Sequence, residues 1–167
     1  MKKFFAVLAS LFSITASLPA LALDGVFGEV GTGERGASLA RLGAHWDQTA
    51  RWLPRNLHLY WELSLGRWDA EPDAIYDFGL TPVFRYARAE RGFYGEAAIG
   101  LHWLSGTSVH PEAHFSSRFQ FGDHIGVGYR GTRYDVGVRL QHLSNAGLRN
   151  PNPGINFFIL RIARLLD

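Results

Sequence analysis

The sequence contains no cysteine. Small extracellular modules usually depend on disulfide bonds because they cannot build a large core, so this class of protein is excluded. A chain without disulfides must obtain its stability from backbone hydrogen bonds and packing. With 167 residues, the chain is long enough for one domain and not comfortably for two.

Lysine is almost absent. Of the 17 basic residues, only Lys2 and Lys3 are lysines, and the remaining arginines balance the 15 acidic residues. Nucleic-acid-binding proteins normally carry an excess of positive charge on one surface. The even balance therefore predicts no nucleic-acid partner.

The sequence also lacks an apolar run of about 20 residues, the length that a membrane-spanning helix needs. Its longest apolar segment, residues 4–18, follows Lys2 and Lys3 and precedes the small residues Ala20 and Ala22. This order is typical of a secretory signal peptide, and the alternative is a membrane anchor. We expect residues 1–22 to be a signal peptide that is cleaved after export through the inner membrane, and residues 23–167 to form the folded domain.

The dominant pattern in the rest of the chain is alternation with period two. In residues 57–65, large apolar residues occupy the odd positions, and His58, Tyr60, Glu62 and Ser64 occupy the even ones. Similar alternation occurs in residues 76–86, 93–103, 119–129 and 134–140, and less clear segments cover 25–31, 38–46 and 154–165. Such segments indicate β-strands. Asp123 interrupts the apolar positions of its segment, which suggests a bulge near Gly122 and Asp123.

About eight such segments predict an all-β fold, an eight-stranded antiparallel transmembrane β-barrel of the bacterial outer membrane. Short predicted links alternate with longer ones, and the polar positions are rich in Arg, Glu and Gly, which suit a narrow lumen. We expect Arg41, Arg85, Glu29, Glu62 and Glu96 to pair there. Aromatic residues near the strand ends suggest interface girdles: Trp61, Trp68, Tyr76, Tyr86, Trp103, Tyr129 and Tyr134. The alternative is a periplasmic lipocalin-like binder with its apolar face inward.

One strand end carries residue types that can do chemistry. His142 and Ser144 share a face with Leu140, the face assigned to lipid, where polar groups are costly unless they have a function. If Asn145 opposes Pro153 across the following loop, an antiparallel register places Asn156 opposite His142. Ser144 as nucleophile, His142 as base and Asn156 as the group that orients the imidazole would form a hydrolytic triad.

The segment His142-Leu143-Ser144-Asn145-Ala146-Gly147, followed by Asn150-Pro151-Asn152-Pro153-Gly154, resembles the hairpin of the lipid A 3-O-deacylase (PagL) family. The close similarity spans residues 117–156. The resemblance implies an eight-stranded outer-membrane barrel that hydrolyses the 3-position acyl ester of lipid A, with His142 and Ser144 as catalytic residues and no cofactor. It also implies support of the site by Asn145, with Gly147 and Asn152 at the positions expected for oxyanion donors.

The chain departs from the family at one position, because Asn156 replaces the triad glutamate. An asparagine can accept a hydrogen bond from imidazole but cannot balance its charge, so we expect reduced activity or a Ser–His dyad assisted by Asn156. The alternative is a catalytically inactive barrel with a structural or adhesive role. His110 and His114 lack a third nearby ligand, so we interpret them as loop histidines and expect no metal. The expected partners are lipid A or lipopolysaccharide and the outer membrane, and a homodimer remains open.

Overall fold

The computed structural model describes residues 23–69 and 73–166. The predicted signal peptide, residues 1–22, lies outside this part of the chain. No helix in the described part is long and apolar enough to cross a membrane. The strands in chain order are β1 (Gly25–Gly33), β2 (Ser38–Gln48), β3 (Leu57–Asp69), β4 (Ile75–Ala87), β5 (Gly92–Leu104), β6 (Ser108–His110), β7 (Ala113–His114), β8 (Phe119–Arg130), β9 (Tyr134–Ser144) and β10 (Ile155–Leu165).

Eight of these strands close into an antiparallel barrel in the order β1-β10-β9-β8-β5-β4-β3-β2. Pairing of the first strand with the last closes the barrel, with Gly25 opposite Leu165 and Gly33 opposite Phe157. Closure leaves no strand edge with unpaired backbone groups, which is the condition for a β-structure in lipid. The predicted eight-stranded barrel is therefore confirmed.

Two short elements lie outside the barrel wall. The β1–β2 turn contains a 3-10 turn at Glu34–Gly36, and β6 and β7 form a small hairpin between β5 and β8. This hairpin, the β1–β2 turn and the long loop of residues 145–154 all lie at one end of the barrel. We call this end the outer end, because long links of bacterial barrels lie on the outer side.

The lumen contains a dense network of charged side chains, all of which are buried. Arg139 contacts three carboxylates, one each on β1, β3 and β5, and two further arginines contact two of the same carboxylates. The contacts are Arg139 with Glu29 at 2.7 Å, Glu96 at 2.7 Å and Glu62 at 2.9 Å, Arg41 with Glu29 at 2.7 Å, and Arg85 with Glu96 at 2.8 Å. The five residues predicted to pair in the lumen therefore do so.

The outer surface of the wall is apolar, and exposed aromatic residues lie near both of its ends. Tyr76 and Trp103 lie near the outer end, and Tyr86, Tyr129 and Tyr134 lie near the other, each about half exposed. Such a distribution matches two interface girdles.

Two expectations about the wall were wrong. Trp68 does not belong to a girdle but is fully buried, 5.1 Å from Phe157 between ring centroids. The reason is parity, because Trp68 has the same parity as the lumenal residues Glu62 and Ser64 of β3. The predicted bulge near Asp123 is also absent, since β8 keeps continuous registers with β5 and β9. Asp123 therefore points outward with its apolar neighbours.

The lumen is filled by apolar side chains at the outer end. Residues of the barrel strands, one residue of the β1–β2 turn and three residues of the β6–β7 region form one buried cluster: Ala37, Leu39, Trp68, Ile75, Leu104, Val109, Ala113, Phe115, Leu143, Ile155, Phe157 and Ile159. Leu143 and Ile155 are fully buried and register partners in β9 and β10. The cluster therefore anchors the outer ends of these two strands from inside, which fixes the direction of the residues beside them.

Candidate active site

The outer end of β9 presents His142 and Ser144 on the lipid-facing side of the wall. Gln141 and Leu143 point into the lumen and are buried, whereas Leu140, on the same face as His142, is 58% exposed. The strict alternation of the strand explains this direction. The structure also pairs His142 with Asn156, so the register predicted for this hairpin is confirmed.

The imidazole of His142 is fixed by contacts with two residues, Gly154 just before β10 and Asn156 within it. Its Nδ1 atom lies 2.7 Å from Oδ1 of Asn156, a hydrogen bond across the register pair. On another side the ring packs against Gly154, where an added Cβ atom would lie only 2.6 Å from the Cε1 atom of the ring. Gly154 also has a φ of +65°, so both its backbone and the ring contact favour glycine.

Asn156 in turn contacts a residue that sequence reasoning missed. Its Nδ2 group donates to Oε1 of Glu34 at 2.9 Å, and its backbone N–H donates to Oε2 at 3.2 Å. Glu34 belongs to the β1–β2 turn, 122 residues away in sequence. Barrel closure is the signal that could have predicted this contact. The register between β1 and β10 pairs Gly33 with Phe157, and the next pair in that register is residues 34 and 156.

These contacts determine which imidazole nitrogen carries a proton. The hydrogen bond from Asn156 holds the pKa of the Glu34 carboxyl below its ordinary value of 4.5, so at neutral pH Glu34 can only accept hydrogen bonds. The NH₂ group of Asn156 must therefore face Glu34, and its carbonyl must face His142. Nδ1 of His142 is then the donor, and Nε2 keeps the lone pair that a general base needs.

Ser144 completes the outward face but is not hydrogen-bonded to the imidazole in the described chain. Its Oγ atom accepts from the backbone N–H of Ala146 at 3.4 Å. In ligand-free enzymes such bonds are often long and shorten only when substrate binds. The structure thus joins His142 and Asn156 directly, and it places Ser144 beside them on the same strand face.

The loop after Ser144 is organised by Asn145, which is almost fully buried. Its Nδ2 group donates to Oγ of Ser116 and to the backbone oxygen of Arg149, both at 2.9 Å. Its backbone N–H donates to Oδ1 of Asn152 at 3.0 Å. The N–H groups of Asn145 are therefore bonded to the loop itself and to Ser116 of the β5–β8 link, and this residue supports the loop rather than offering a donor to a substrate.

Gly147 and Asn152 lie in the same loop. In the described part of the chain, no hydrogen bond uses the backbone N–H of Gly147 or the Nδ2 group of Asn152. Their role as oxyanion donors stays a prediction. His110 and His114 lie in β6 and β7. The described residues contain no cluster of three or more side chains that could hold a metal ion.

Comparison with known proteins points to one family. The family described as Lipid A 3-O-deacylase (PagL) matches residues 38–164. The Lipid A deacylase PagL of Pseudomonas aeruginosa is 35% identical over 164 residues, which cover 93% of this chain and 92% of that relative. The Lipid A deacylase PagL of Bordetella bronchiseptica is 41% identical over 100 residues, which cover 57% of this chain and 55% of that relative.

Solved structures show the same similarity. The crystal structure of the outer membrane enzyme PagL aligns with a TM-score of 0.75 at 32% identity, covering 85% of this chain and 99% of that one. A designed transmembrane β-barrel aligns with a TM-score of 0.57 at 11% identity, covering 86% of this chain and 96% of that one. The second match reflects the barrel fold alone.

Proposed function

The chain belongs to the lipid A 3-O-deacylase (PagL) family of outer-membrane β-barrels, and we propose that it hydrolyses the ester-linked acyl chain at the 3-position of lipid A. The observation that carries this proposal is the 2.7 Å contact between His142 and Asn156 beside Ser144, on a lipid-facing strand end. A base, its orienting group and a hydroxyl are costly at the edge of a bilayer unless they act on a lipid.

In the proposed reaction, Oγ of Ser144 bonds to the ester carbonyl carbon while Nε2 of His142 takes the hydroxyl proton. The carbonyl oxygen becomes an oxyanion, which accepts hydrogen bonds from the backbone N–H of Gly147 and the Nδ2 group of Asn152. The intermediate expels the 3-position sugar oxygen, which receives the proton from the imidazolium.

The second half of the reaction repeats these roles with water. His142 takes a proton from a water molecule while the water oxygen attacks the acyl-serine carbonyl. Collapse of the second tetrahedral intermediate returns the proton from the imidazolium to Ser144 and releases a free fatty acid. The reaction needs neither metal nor cofactor.

The direction of the site fits a lipid substrate. His142 and Ser144 point away from the lumen, at the end of the barrel assigned to the outer side, next to exposed apolar residues such as Leu140. Lipid A in the outer leaflet could therefore reach the site by lateral diffusion while its acyl chains stay in hydrocarbon.

The test is incubation of the purified, folded barrel with lipid A and analysis of the products by mass spectrometry. We expect the wild type to release one acyl chain and Ser144→Ala to release none. Ser38→Ala is a matched control, because Ser38 is an exposed serine at the outer end of β2. Identical products from the wild type and Ser144→Ala would refute the mechanism. Unchanged lipid A in every sample would favour the inactive structural or adhesive barrel.

A further inference from the structure

Three residues form a continuous hydrogen-bonded chain on the outside of the barrel. His142 contacts Asn156 at 2.7 Å, and Asn156 donates twice to Glu34, at 2.9 and 3.2 Å. The side chain that directly contacts the imidazole, Asn156, is therefore neutral, but it is hydrogen-bonded in turn to the carboxylate of Glu34. This carboxylate comes from the β1–β2 turn and not from the catalytic hairpin.

The β1–β2 turn is attached to the start of β10 by two neighbouring residues. Beside Glu34, the Nη1 group of Arg35 donates to the backbone oxygen of Gly154 at 3.2 Å. Arg35 has a φ of 57°, an unusual conformation for a residue with a side chain. The turn thus contacts both residues that fix the imidazole, Gly154 and Asn156.

We propose that Glu34 is a positioning residue of this reaction, which acts through Asn156 in place of a carboxylate at the triad position. This inference rests on the proposed function of Ser144 and His142. Glu34 has two effects in this role. It fixes the orientation of the Asn156 amide, and its charge stabilises the imidazolium that forms when His142 takes a proton.

The first effect is geometric. Without an acceptor-only neighbour, the Asn156 amide can rotate so that Nδ2 faces Nδ1 of His142. That orientation favours a proton on Nε2, which removes the base from the side of Ser144. This rotation is costly because it breaks the Nδ2 bond and turns Oδ1 toward a carboxylate that the backbone N–H of Asn156 holds in place.

The second effect is electrostatic and smaller, because the Glu34 side chain is 48% exposed and solvent screens its charge. Two other charged residues face the same region. Asp123 is the register partner of His142 on β8, and Arg35 lies in the turn. A test must therefore separate the contribution of Glu34 from that of Asp123.

The experiment compares Glu34→Gln, Asn156→Glu, the double variant and Asp123→Asn in the full-length, folded barrel. Glu112→Gln is the matched control, because Glu112 is an exposed acid of the β6–β7 hairpin at the same end. For each variant, kcat and KM on lipid A are measured across a pH series. Nitrogen NMR of the barrel in micelles reports which nitrogen of His142 carries the proton.

For Glu34→Gln we expect kcat to fall on the order of 10-fold with little change in KM, since a bond to a charged group is lost. The acidic limb of the pH–rate curve should differ from that of Glu112→Gln, because the negative charge beside the imidazolium is lost. The double variant should regain kcat, because its carboxylate then contacts Nδ1 directly. Asn156→Glu alone should be less active than the double variant, because it sets two carboxylates against each other.

Asp123→Asn should shift the acidic limb of the pH–rate curve but leave the same nitrogen of His142 protonated. This outcome separates the effect of a nearby charge from the effect of positioning. The inference is overturned if Ser144→Ala is inactive but Glu34→Gln matches Glu112→Gln in kcat and pH dependence. It is also overturned if Glu34→Gln loses activity and the double variant does not recover it. An inactive wild type would instead refute the proposed function, and the NMR measurement would still decide whether Glu34 controls the tautomer.

Discussion

Replacement of Gly154 by alanine should disable the site while leaving the barrel folded. The added methyl group would lie 2.6 Å from Cε1 and 3.2 Å from Nε2 of His142. The ring cannot move away without cost, because its Nδ1 atom is bonded to Asn156 at 2.7 Å. The imidazole must therefore give up this hydrogen bond or shift its Nε2 atom relative to Ser144.

The size of the effect follows from the distances. To reach ordinary contact, Cε1 must retreat by about 0.8 Å. A misplacement of about 1 Å in a catalytic group costs about 100-fold in rate, or about 2.7 kcal/mol in activation free energy. The φ of +65° adds a backbone penalty of about 1–2 kcal/mol to the free energy of folding, which a closed barrel can tolerate.

The assay is the initial rate of acyl release from lipid A, together with heat-modifiable gel mobility as a measure of folding. Gly36→Ala is the control, because Gly36 has a similar φ of +75° and an added Cβ atom there meets nothing within 4 Å. The Gly36→Ala variant therefore has the same kind of backbone penalty but no added contact with the His142 ring. If Gly154→Ala is folded and its rate lies within about threefold of Gly36→Ala, the ring does not need this space and our reasoning is wrong.

Two further predictions concern the barrel itself. Arg139→Met should lower the free energy of unfolding by about 3–5 kcal/mol, because it leaves buried carboxylates unpaired; Arg67→Met, which breaks the exposed pair with Asp69, should cost less than about 1 kcal/mol. Equal losses in urea unfolding in micelles would contradict the lumenal network. Leu42→Arg, at a 72% exposed position in the middle of β2, should destabilise the barrel in bilayers by about 2–4 kcal/mol, whereas Gln48→Arg at the strand end should cost about 0–1 kcal/mol. An unaffected Leu42→Arg would show that this face does not contact hydrocarbon.

Most of the wall could be predicted from the sequence, because the direction of a side chain in a strand depends only on parity. The outward direction of His142 and Ser144, and the inward direction of Arg41 and Glu62, follow from this local rule. The same rule places Trp68 in the lumen, where the structure has it, against the expectation of an aromatic girdle. The pairing of His142 with Asn156 was also accessible, because placing Asn145 opposite Pro153 fixes the antiparallel register of the two strands.

The contacts of Asn145 could not be read from the sequence. The resemblance implied only that Asn145 supports the site, whereas the fold directs its amide to Oγ of Ser116 and to the backbone oxygen of Arg149. Ser116 comes from the link between β5 and β8, and nothing in the local pattern shows that this link folds against residues 145–154.

The sequence by itself therefore determined the strands, their two faces and the chemistry of one hairpin, because each of these depends on residues close together in the chain. Only the tertiary structure decided that Glu34 contacts Asn156 and that the β6–β7 region fills the outer end of the lumen. The physical reason is closure of the barrel. Hydrogen bonding of β1 to β10 joins residues more than one hundred positions apart, and no periodicity within a single strand carries that information.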